Sequence, residues 1–235
     1  MEQVPTYLIV GDGRMARHVS FYFGELGISY SGWARKTHSE RDLRVFSENA
    51  SHVLILISDG AIESFINEHR CLRSKTLIHF SGSLVTSLAH GVHPLMTFTE
   101  DLYTIELYKK ISFICDAEAP SFSELFPKLP NLSYTLPAKL KPRYHALCVM
   151  SNNFTTLLWQ KFYLELDQIL NIPADAIHPF LEQTLQNLKN HPMTALTGPL
   201  VRNDKSTINA NLKALENDPF QSVYKVFVET YNKLL

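Results

Sequence analysis

The segment LIVGDGRMARHV, Leu8–Val19, decides the fold prediction, because a short apolar run meets two closely spaced glycines and then a helical pattern. The apolar run predicts a strand. Met15, Val19 and Phe23 follow at helical spacing and predict a helix. The G-x-G-x-x-A pattern at residues 11–16 is weak alone, since a strand can also end in a glycine turn without a ligand. The rest of the chain must therefore show whether this turn belongs to a fold of alternating strands and helices that binds nucleotides.

The composition limits the class of protein. The chain has 235 residues, of which 45% are hydrophobic and 19% charged, so it can bury one large core or two modest ones. The net charge is −1 and no basic stripe dominates, which gives a nucleic-acid partner no electrostatic support. We interpret the basic cluster Lys139, Lys141 and Arg143 as a solvated face.

Cysteine usage and hydropathy predict a cytoplasmic protein. The three cysteines are far apart and odd in number, which predicts neither a disulfide framework nor a zinc site. The start, MEQVPTYLIV, lacks the pattern of a signal peptide. The longest apolar run, HVLILIS at 52–58, has the length of a strand, so we expect no membrane partner.

Short apolar runs alternate with helical patterns through the first part of the chain. The predicted strands occupy residues 6–10, 28–35, 52–58, 76–80, 111–116 and 131–136. Predicted helices at 14–27, 38–50 and 59–71 separate the first four. From Pro142 onward the patterns are helical. We therefore predict an α/β fold, with a doubly wound Rossmann domain at 1–138 followed by an all-α domain at 139–235.

This context favours a dinucleotide site at the first glycine turn. Gly11 permits the tight turn, Gly13 lets the backbone approach a pyrophosphate, and Ala16 lets the helix pack closely on the strand. The helix N-terminus, with Arg14 and Met15, offers free N–H groups to the phosphates. A glycine turn without a ligand is the alternative.

The end of the second strand indicates which dinucleotide would bind. An NAD site has an acidic residue there for the ribose hydroxyls. This chain has Arg35 and Lys36 instead, which suit a 2′-phosphate and favour NADPH over NADH. A solvated basic turn is the alternative. Trp33 lies either near the adenine or in the core.

The third and fourth strands end in polar residues at the same edge of the sheet. Ser58 and Asp59 follow the third strand and are predicted to face the dinucleotide, although Asp59 is equally suited to cap a helix. His79 and Ser81 end the fourth strand and are predicted to face the nicotinamide and substrate.

Further candidate residues come from segments without an easy structural role. We predict that His93, and after it His79, transfers a proton, because a histidine titrates near neutrality. Asn153, or its neighbour Asn152, would polarise a carbonyl or imine, and Arg202 would hold a carboxylate or phosphate. A turn, a local ion pair or a helix cap at residues 196–204 is the alternative for the last segment.

Several motifs also carry a resemblance to a known family. GDGRMA, HFSGSL, HPLMTF, YHALCVMSNNF and ALTGPLVRND occur in order between residues 8 and 205. The chain resembles Rossmann-like proteins with a C-terminal domain of unknown function, numbered 2520. It is more distantly similar to pyrroline-5-carboxylate reductase, 6-phosphogluconate dehydrogenase and deazaflavin-dependent NADP reductase. The resemblance implies a nucleotide-binding domain and a helical domain that forms a homodimer.

Together these features predict an NADP(H)-dependent oxidoreductase that moves a hydride to or from a small substrate in a cleft between the domains. A non-catalytic dinucleotide-binding sensor or interaction module is the alternative. A metal enzyme built on His79 and His93 is disfavoured, because their spacing is not that of metal ligands, and no metal is expected.

Overall fold

The computed structural model describes residues 5–234. The chain forms two compact units, one up to Leu157 and one from Leu158 onward. Compactness alone does not establish independent folding, so the division into domains at 1–138 and 139–235 stays a prediction.

A seven-stranded sheet forms the centre of the first unit. The strands are β1 (Tyr7–Val10), β2 (Tyr30–Trp33), β3 (His52–Ile55), β4 (Thr76–His79), β5 (His90–Pro94), β6 (Phe113–Asp116) and β7 (Ser133–Leu136). Their order is β2-β1-β3-β4-β5-β6-β7, and all neighbours are parallel except β5 and β6. Because β2 lies on one side of β1 and β3 on the other, the strand order reverses between β1 and β3, and such sheets bind ligands at this switch point.

Helices cover both faces of the sheet, as the predicted α/β class requires. They are α1 (Arg14–Glu25), α2 (Glu40–Glu48), α3 (Ile62–Glu68), α4 (Ile105–Lys110), α5 (Phe122–Leu125) and α6 (Lys141–Cys148). Along β1, Tyr7 and Ile9 join one buried cluster, whereas Leu8 and Val10 join another on the opposite face. This alternation is expected of a strand buried on both sides, and it confirms the doubly wound architecture.

The sequence prediction missed β5. The segment HGVHP contains one apolar branched residue, Val92, between a glycine and a proline, which are both unfavourable in strands. Its pairing with neighbours makes it a strand: Gly91 pairs with His79 on one side and Val92 with Cys115 on the other. The six predicted strands are confirmed, with ends one to several residues shorter.

The second unit is helical, as predicted. Its helices are α7 (Thr155–Gln168) from Leu158 onward, α8 (His178–Asn190), α9 (Lys205–Ala214) and α10 (Phe220–Leu234). Lys161 forms ion pairs with Glu165 and Asp218 at 2.6 and 2.5 Å. Many large apolar side chains of this unit are exposed. Among residues 5–234, no helix combines the length and the apolarity needed to span a membrane.

Candidate functional site

The glycine turn after β1 is held by close backbone contacts. Gly11 has a φ of +129°, and a Cβ there would collide with the carbonyl oxygen of Leu56. Its N–H donates to the carbonyl of Trp33 at 2.9 Å. Only glycine suits this position, because other residues rarely adopt such a φ and none would fit.

Gly13 plays a different part. It precedes α1 in an extended conformation with a φ of −76°, which any residue can adopt. A Cβ at Gly13 would meet no atom within 4 Å, so the backbone borders open space. Ala16 is 3% exposed and packs into the core beneath α1. The N-terminus of α1 therefore opens onto space that an anionic group can occupy.

Three adjoining cavities of the first unit form one groove at this edge of the sheet. The first, of about 350 Å³, extends from Gly11 and Asp12 to Trp33, Arg35 and Lys36. The second, of about 670 Å³, is lined by residues 11–15, 56–58, 96–98 and 152–153. The third, of about 450 Å³, is lined by residues 93, 95–97, 144–145, 147–149 and 151–153. Neighbouring cavities share lining residues, so the groove is continuous.

The first cavity carries the basic residues predicted to recognise a 2′-phosphate. Arg35 and Lys36 are exposed at its edge. The Nζ atom of Lys36 lies 3.6 Å from a carboxylate oxygen of Asp12. Trp33 is a core residue, 3% exposed, and it also lines this cavity; its place near an adenine stays a prediction.

The second cavity contains the predicted pyrophosphate residues Gly11, Gly13, Arg14 and Met15, together with Ser58. The Arg14 guanidinium lies 3.6 Å from a carboxylate oxygen of Glu100 and donates to the carbonyl of Phe98 at 3.4 Å. Arg14 is therefore held beside the groove by weak, exposed contacts.

Asp59 and Ser81 do not line the three cavities. The Ser81 hydroxyl donates to the Asp59 carboxylate at 2.5 Å and accepts from the backbone N–H groups of Ser83 and Leu84. The pair therefore ties the turn after β3 to the loop after β4. Its contacts support the edge of the sheet on which Ser58 reaches the groove.

The third cavity is built around His93 on β5. The Nδ1 atom of His93 lies 2.8 Å from the hydroxyl of Tyr144, and the ring stands edge-on to His145. Burial lowers the pKa of His93 from its ordinary value of 6.5 to about 4, and the positive charges of His145 and Lys141 act in the same direction. His93 is therefore neutral at pH 7.

The polar residues SNN, which interrupt the long helix predicted after Pro142, coincide with a change of helix type. Between α6 and α7, residues Val149–Phe154 form a π-helical segment. Such segments are frequent at functional sites. Asn152 and Asn153 are exposed and line both the second and the third cavity. The structure thus brings Asn153 to the same groove as His93.

His79 takes a different place from His93. It is completely buried at the end of β4, and its Nδ1 accepts from the backbone N–H of Ser81 at 3.2 Å. Its Nε2 has no hydrogen-bond partner among the described residues. Burial, followed by the nearby charge of Lys141, lowers the pKa of His79 to about 4. His79 does not line the groove.

Arg202 belongs to the second unit, in an exposed loop before α9. The neighbouring Asp204 caps α9 by accepting from the N–H of Thr207 at 3.0 Å. The helix-cap alternative considered for this segment is thus correct for Asp204, and the role of Arg202 stays a prediction. Within residues 5–234, no three histidine, cysteine or acidic side chains are grouped to hold a metal ion.

The sequence analysis missed residues on α6. Tyr144 and His145 line the third cavity, and their helical spacing to Cys148 and Asn152 could have indicated this face. The interpretation of the basic cluster as solvated is wrong for Lys141, which is 4% exposed. Its Nζ lies 2.8 Å from a carboxylate oxygen of Asp116 because β6 ends directly against α6's first turn.

Fold and groove together define a Rossmann-like α/β protein with a helical C-terminal part. Residues 115–231 match the family described as Domain of unknown function (DUF2520). This match confirms the resemblance inferred from the motifs. Nothing among curated protein sequences matches the chain.

Solved structures share this fold over 97% of the chain. A Bacteroides fragilis protein described as a candidate NADP oxidoreductase is 19% identical over 98% of its length, with a TM-score of 0.78. An imine reductase from Myxococcus stipitatus in complex with NADP+ is 12% identical over 93%, with a TM-score of 0.66. Plasmodium falciparum pyrroline carboxylate reductase with NADP bound is 14% identical over 96%, with a TM-score of 0.59. At such identities the likeness shows the fold.

The lowered pKa values of buried His79 and half-buried His93 predict how stability depends on pH. As the pH falls below 6.5, the unfolded chain protonates both, whereas the folded chain keeps them neutral down to about 4. Their contribution is therefore complete above pH 6.5 and is lost between pH 6.5 and 4. We expect each to lower the free energy of unfolding by up to about 1.4 kcal/mol per pH unit.

Urea unfolding at several pH values tests this prediction. His93→Gln should flatten the dependence between pH 6.5 and 4, whereas the exposed His178→Gln should leave it unchanged. An unaltered slope in His93→Gln would show that His93 titrates normally in the folded protein.

Proposed function

We propose that this protein is an NADP(H)-dependent oxidoreductase that transfers a hydride to or from a small substrate. The observation that carries the proposal is the continuous groove at the β1–β3 switch point. It extends from Arg35, past the glycine turn, to His93 and Tyr144. A site for NADPH needs three features along its length: a basic end for the 2′-phosphate, a helix N-terminus for the pyrophosphate and a polar cavity for the reaction.

The residues of the groove support NADPH as the cofactor. Arg35 and Lys36 would hold the 2′-phosphate, and no acidic residue stands at the end of β2 to favour NADH. The backbone at Gly11 and Gly13, with Arg14, Met15 and Ser58, would hold the pyrophosphate, and Ala16 keeps α1 close to the sheet. Asp59 and Ser81 would act indirectly, by fixing the turn that presents Ser58.

The chemistry at the third cavity needs one proton-transferring group. Bound NADPH supplies a hydride to a carbonyl or imine carbon. With the Tyr144 hydroxyl donating to Nδ1, neutral His93 carries its proton on Nε2. His93 can then donate a hydrogen bond from Nε2 to the substrate oxygen or nitrogen. In the reverse reaction the other tautomer, with Nδ1–H donating to the Tyr144 oxygen, would leave Nε2 free to accept a proton from an alcohol or amine. Asn153 would orient the polarised group.

The remaining predicted residues have supporting or more distant roles in this proposal. Buried His79 would support the floor of the sheet beneath the site rather than touch substrate. Arg202 would bind a substrate carboxylate or phosphate. The cytoplasmic location rests on the cysteine usage of the sequence.

A homodimer through the helical unit is part of the proposal. An apolar groove of about 640 Å³ there is lined by side chains that include Phe162, Leu200, Phe220 and Phe227. Val226 and Phe227 on α10 are 58% and 52% exposed. Apolar surfaces of this kind mark interaction sites in soluble proteins, and a second copy of the chain would bury them.

A titration with NADPH and NADH, followed by quenching of tryptophan fluorescence, tests the cofactor. We expect Arg35→Ala to lose one charge-assisted contact worth about 1.5–3 kcal/mol. The Kd for NADPH should therefore rise about 10- to 150-fold, with little change for NADH. Arg41→Ala, an exposed change on α2, is the control.

The two nucleotides separate the possible outcomes. Equal binding of both by the wild type would contradict the preference for NADPH. Binding of neither would remove the oxidoreductase proposal. Binding without turnover of any imine or keto acid would favour the sensor alternative.

Turnover tests the assignment of His93. On any substrate found in that panel, His93→Gln should lower kcat by about 10²- to 10⁴-fold, the usual worth of a general acid or base. The Kd for NADPH should not change, because His93 lies in the third cavity only. Full turnover by His93→Gln, compared with His178→Gln, would exclude His93 from the mechanism.

Sedimentation equilibrium tests the dimer. We expect twice the chain mass of 26.8 kDa for the wild type. Val226→Glu places a charge on the apolar surface and should weaken the dimer at least about tenfold. The matched Val45→Glu, at an exposed valine of α2, should not. A monomeric wild type would contradict this part of the proposal.

A further inference from the structure

One face of α6 carries residues of two kinds. Lys141, Tyr144 and His145 are three and four residues apart, so they project from the same side of the helix. Lys141 is buried in the first turn. Tyr144 and His145 line the third cavity one turn later. Whatever fixes Lys141 therefore also fixes the two cavity residues.

Lys141 is fixed by a buried ion pair with β6. Its Nζ lies 2.8 Å from Oδ1 of Asp116, and the two side chains are only 5% and 13% exposed. The other carboxylate oxygen, Oδ2, accepts from the backbone N–H of Gly91 at 2.8 Å. The ammonium makes no well-directed hydrogen bond within the described residues, so its contact with Asp116 is electrostatic.

Two glycines make room for this arrangement. A Cβ at Gly91 would collide with the Lys141 ammonium and lie 2.5 Å from Oδ2 of Asp116. A Cβ at Gly82 would lie 2.6 Å from the His145 ring and 3.0 Å from the His93 ring. The separation between α6 and the sheet is thus set at the ion pair and again at the two histidines.

His93 is coupled to the pair through β5. Gly91 and His93 are two residues apart on this strand and face the same side. His93 then meets Tyr144, which α6 carries one turn beyond Lys141. A shift of α6 along or away from β5 would change the contact between the Nδ1 of His93 and the Tyr144 hydroxyl.

We propose that the Lys141–Asp116 pair is a positioning element that docks α6 on the sheet and sets the Tyr144 hydroxyl against His93. Both residues act through Tyr144 and His93 rather than on the substrate. The effect on turnover rests on the proposed function. The effect on the His93–Tyr144 contact does not.

The test needs a variant that removes both charges together. Removing one partner leaves an unpaired buried charge, whereas replacing both is often tolerated. Lys141→Met with Asp116→Asn keeps similar volumes and an oxygen for the N–H of Gly91. Lys110→Met, an exposed change on α4, is the control.

The measurement is NMR of selectively ¹⁵N-labelled histidine, with His93 assigned from the spectrum of His93→Gln. In the wild type we expect Nδ1 of His93 to show the shift of a hydrogen-bonded nitrogen. In the double variant it should move toward the shift of a free imidazole. The Kd for NADPH should stay within about twofold, while kcat falls about 10- to 100-fold, as misplacement of a reacting group does.

The pH titration of the same signal gives a second readout. The charged and titratable groups that face His93 are His145 and Lys141 from α6, Asp59 from the turn after β3, and His79 from β4. Tyr144 adds its hydroxyl. Loss of the Lys141 cation should raise the pKa of His93 toward its ordinary value.

The Nδ1 signal of His93 in the variants decides whether the Lys141–Asp116 pair has this positioning role. An unchanged Nδ1 signal in a folded double variant would overturn the proposal. If that variant does not fold, Gly91→Ala displaces the pair without removing a charge, and it should shift the same signal. A shifted signal in a protein that binds no NADPH would refute the proposed function while supporting the positioning role.

Discussion

The close approach of Gly11 to the carbonyl oxygen of Leu56 is the constraint on which the site depends. The turn is bonded to both neighbouring strands: the N–H of Gly11 donates to the carbonyl of Trp33, the last residue of β2, and the N–H of Leu56, just after β3, donates to the carbonyl of Val10 of β1. A side chain at Gly11 would separate β1 from β3. With the glycine, α1 begins at the point where the strand order reverses, and its free N–H groups face the groove.

The far end of the groove depends on a strand that sequence patterns do not reveal. β1 and β3 are predictable because their runs of buried branched residues need no knowledge of their neighbours. β5 has Gly91 and Pro94 around Val92, and it becomes a strand because β4 and β6 pair with it. The position of His93 therefore follows from tertiary pairing, although its presence near the groove was predictable from its place after the fourth strand.

The site residues divide in the same way, into those that the local sequence predicts and those whose position depends on tertiary pairing. The glycine turn, Arg35 and Ser58 could be placed at one edge because the carboxyl ends of parallel strands meet there. Lys141 could not, since its burial depends on a slot that Gly91 leaves open in a distant strand. The bond between Ser81 and Asp59 is likewise a tertiary pairing, and it shows that a polar residue at a strand end can brace the edge instead of lining it.

Charge balance in the groove completes the physical picture. Arg14 lies beside Glu100 and Lys36 beside Asp12, each at 3.6 Å and mostly exposed. Such pairs contribute about 0–1 kcal/mol, so a phosphate can take the place of either carboxylate at small cost. Arg35 forms no ion pair among the described residues, and its guanidinium has no carboxylate to give up. Arg14 and Lys36 would exchange a carboxylate partner for a phosphate, whereas Arg35 has no carboxylate partner to lose within the described part of the chain, and this favours a phosphate group at Arg35.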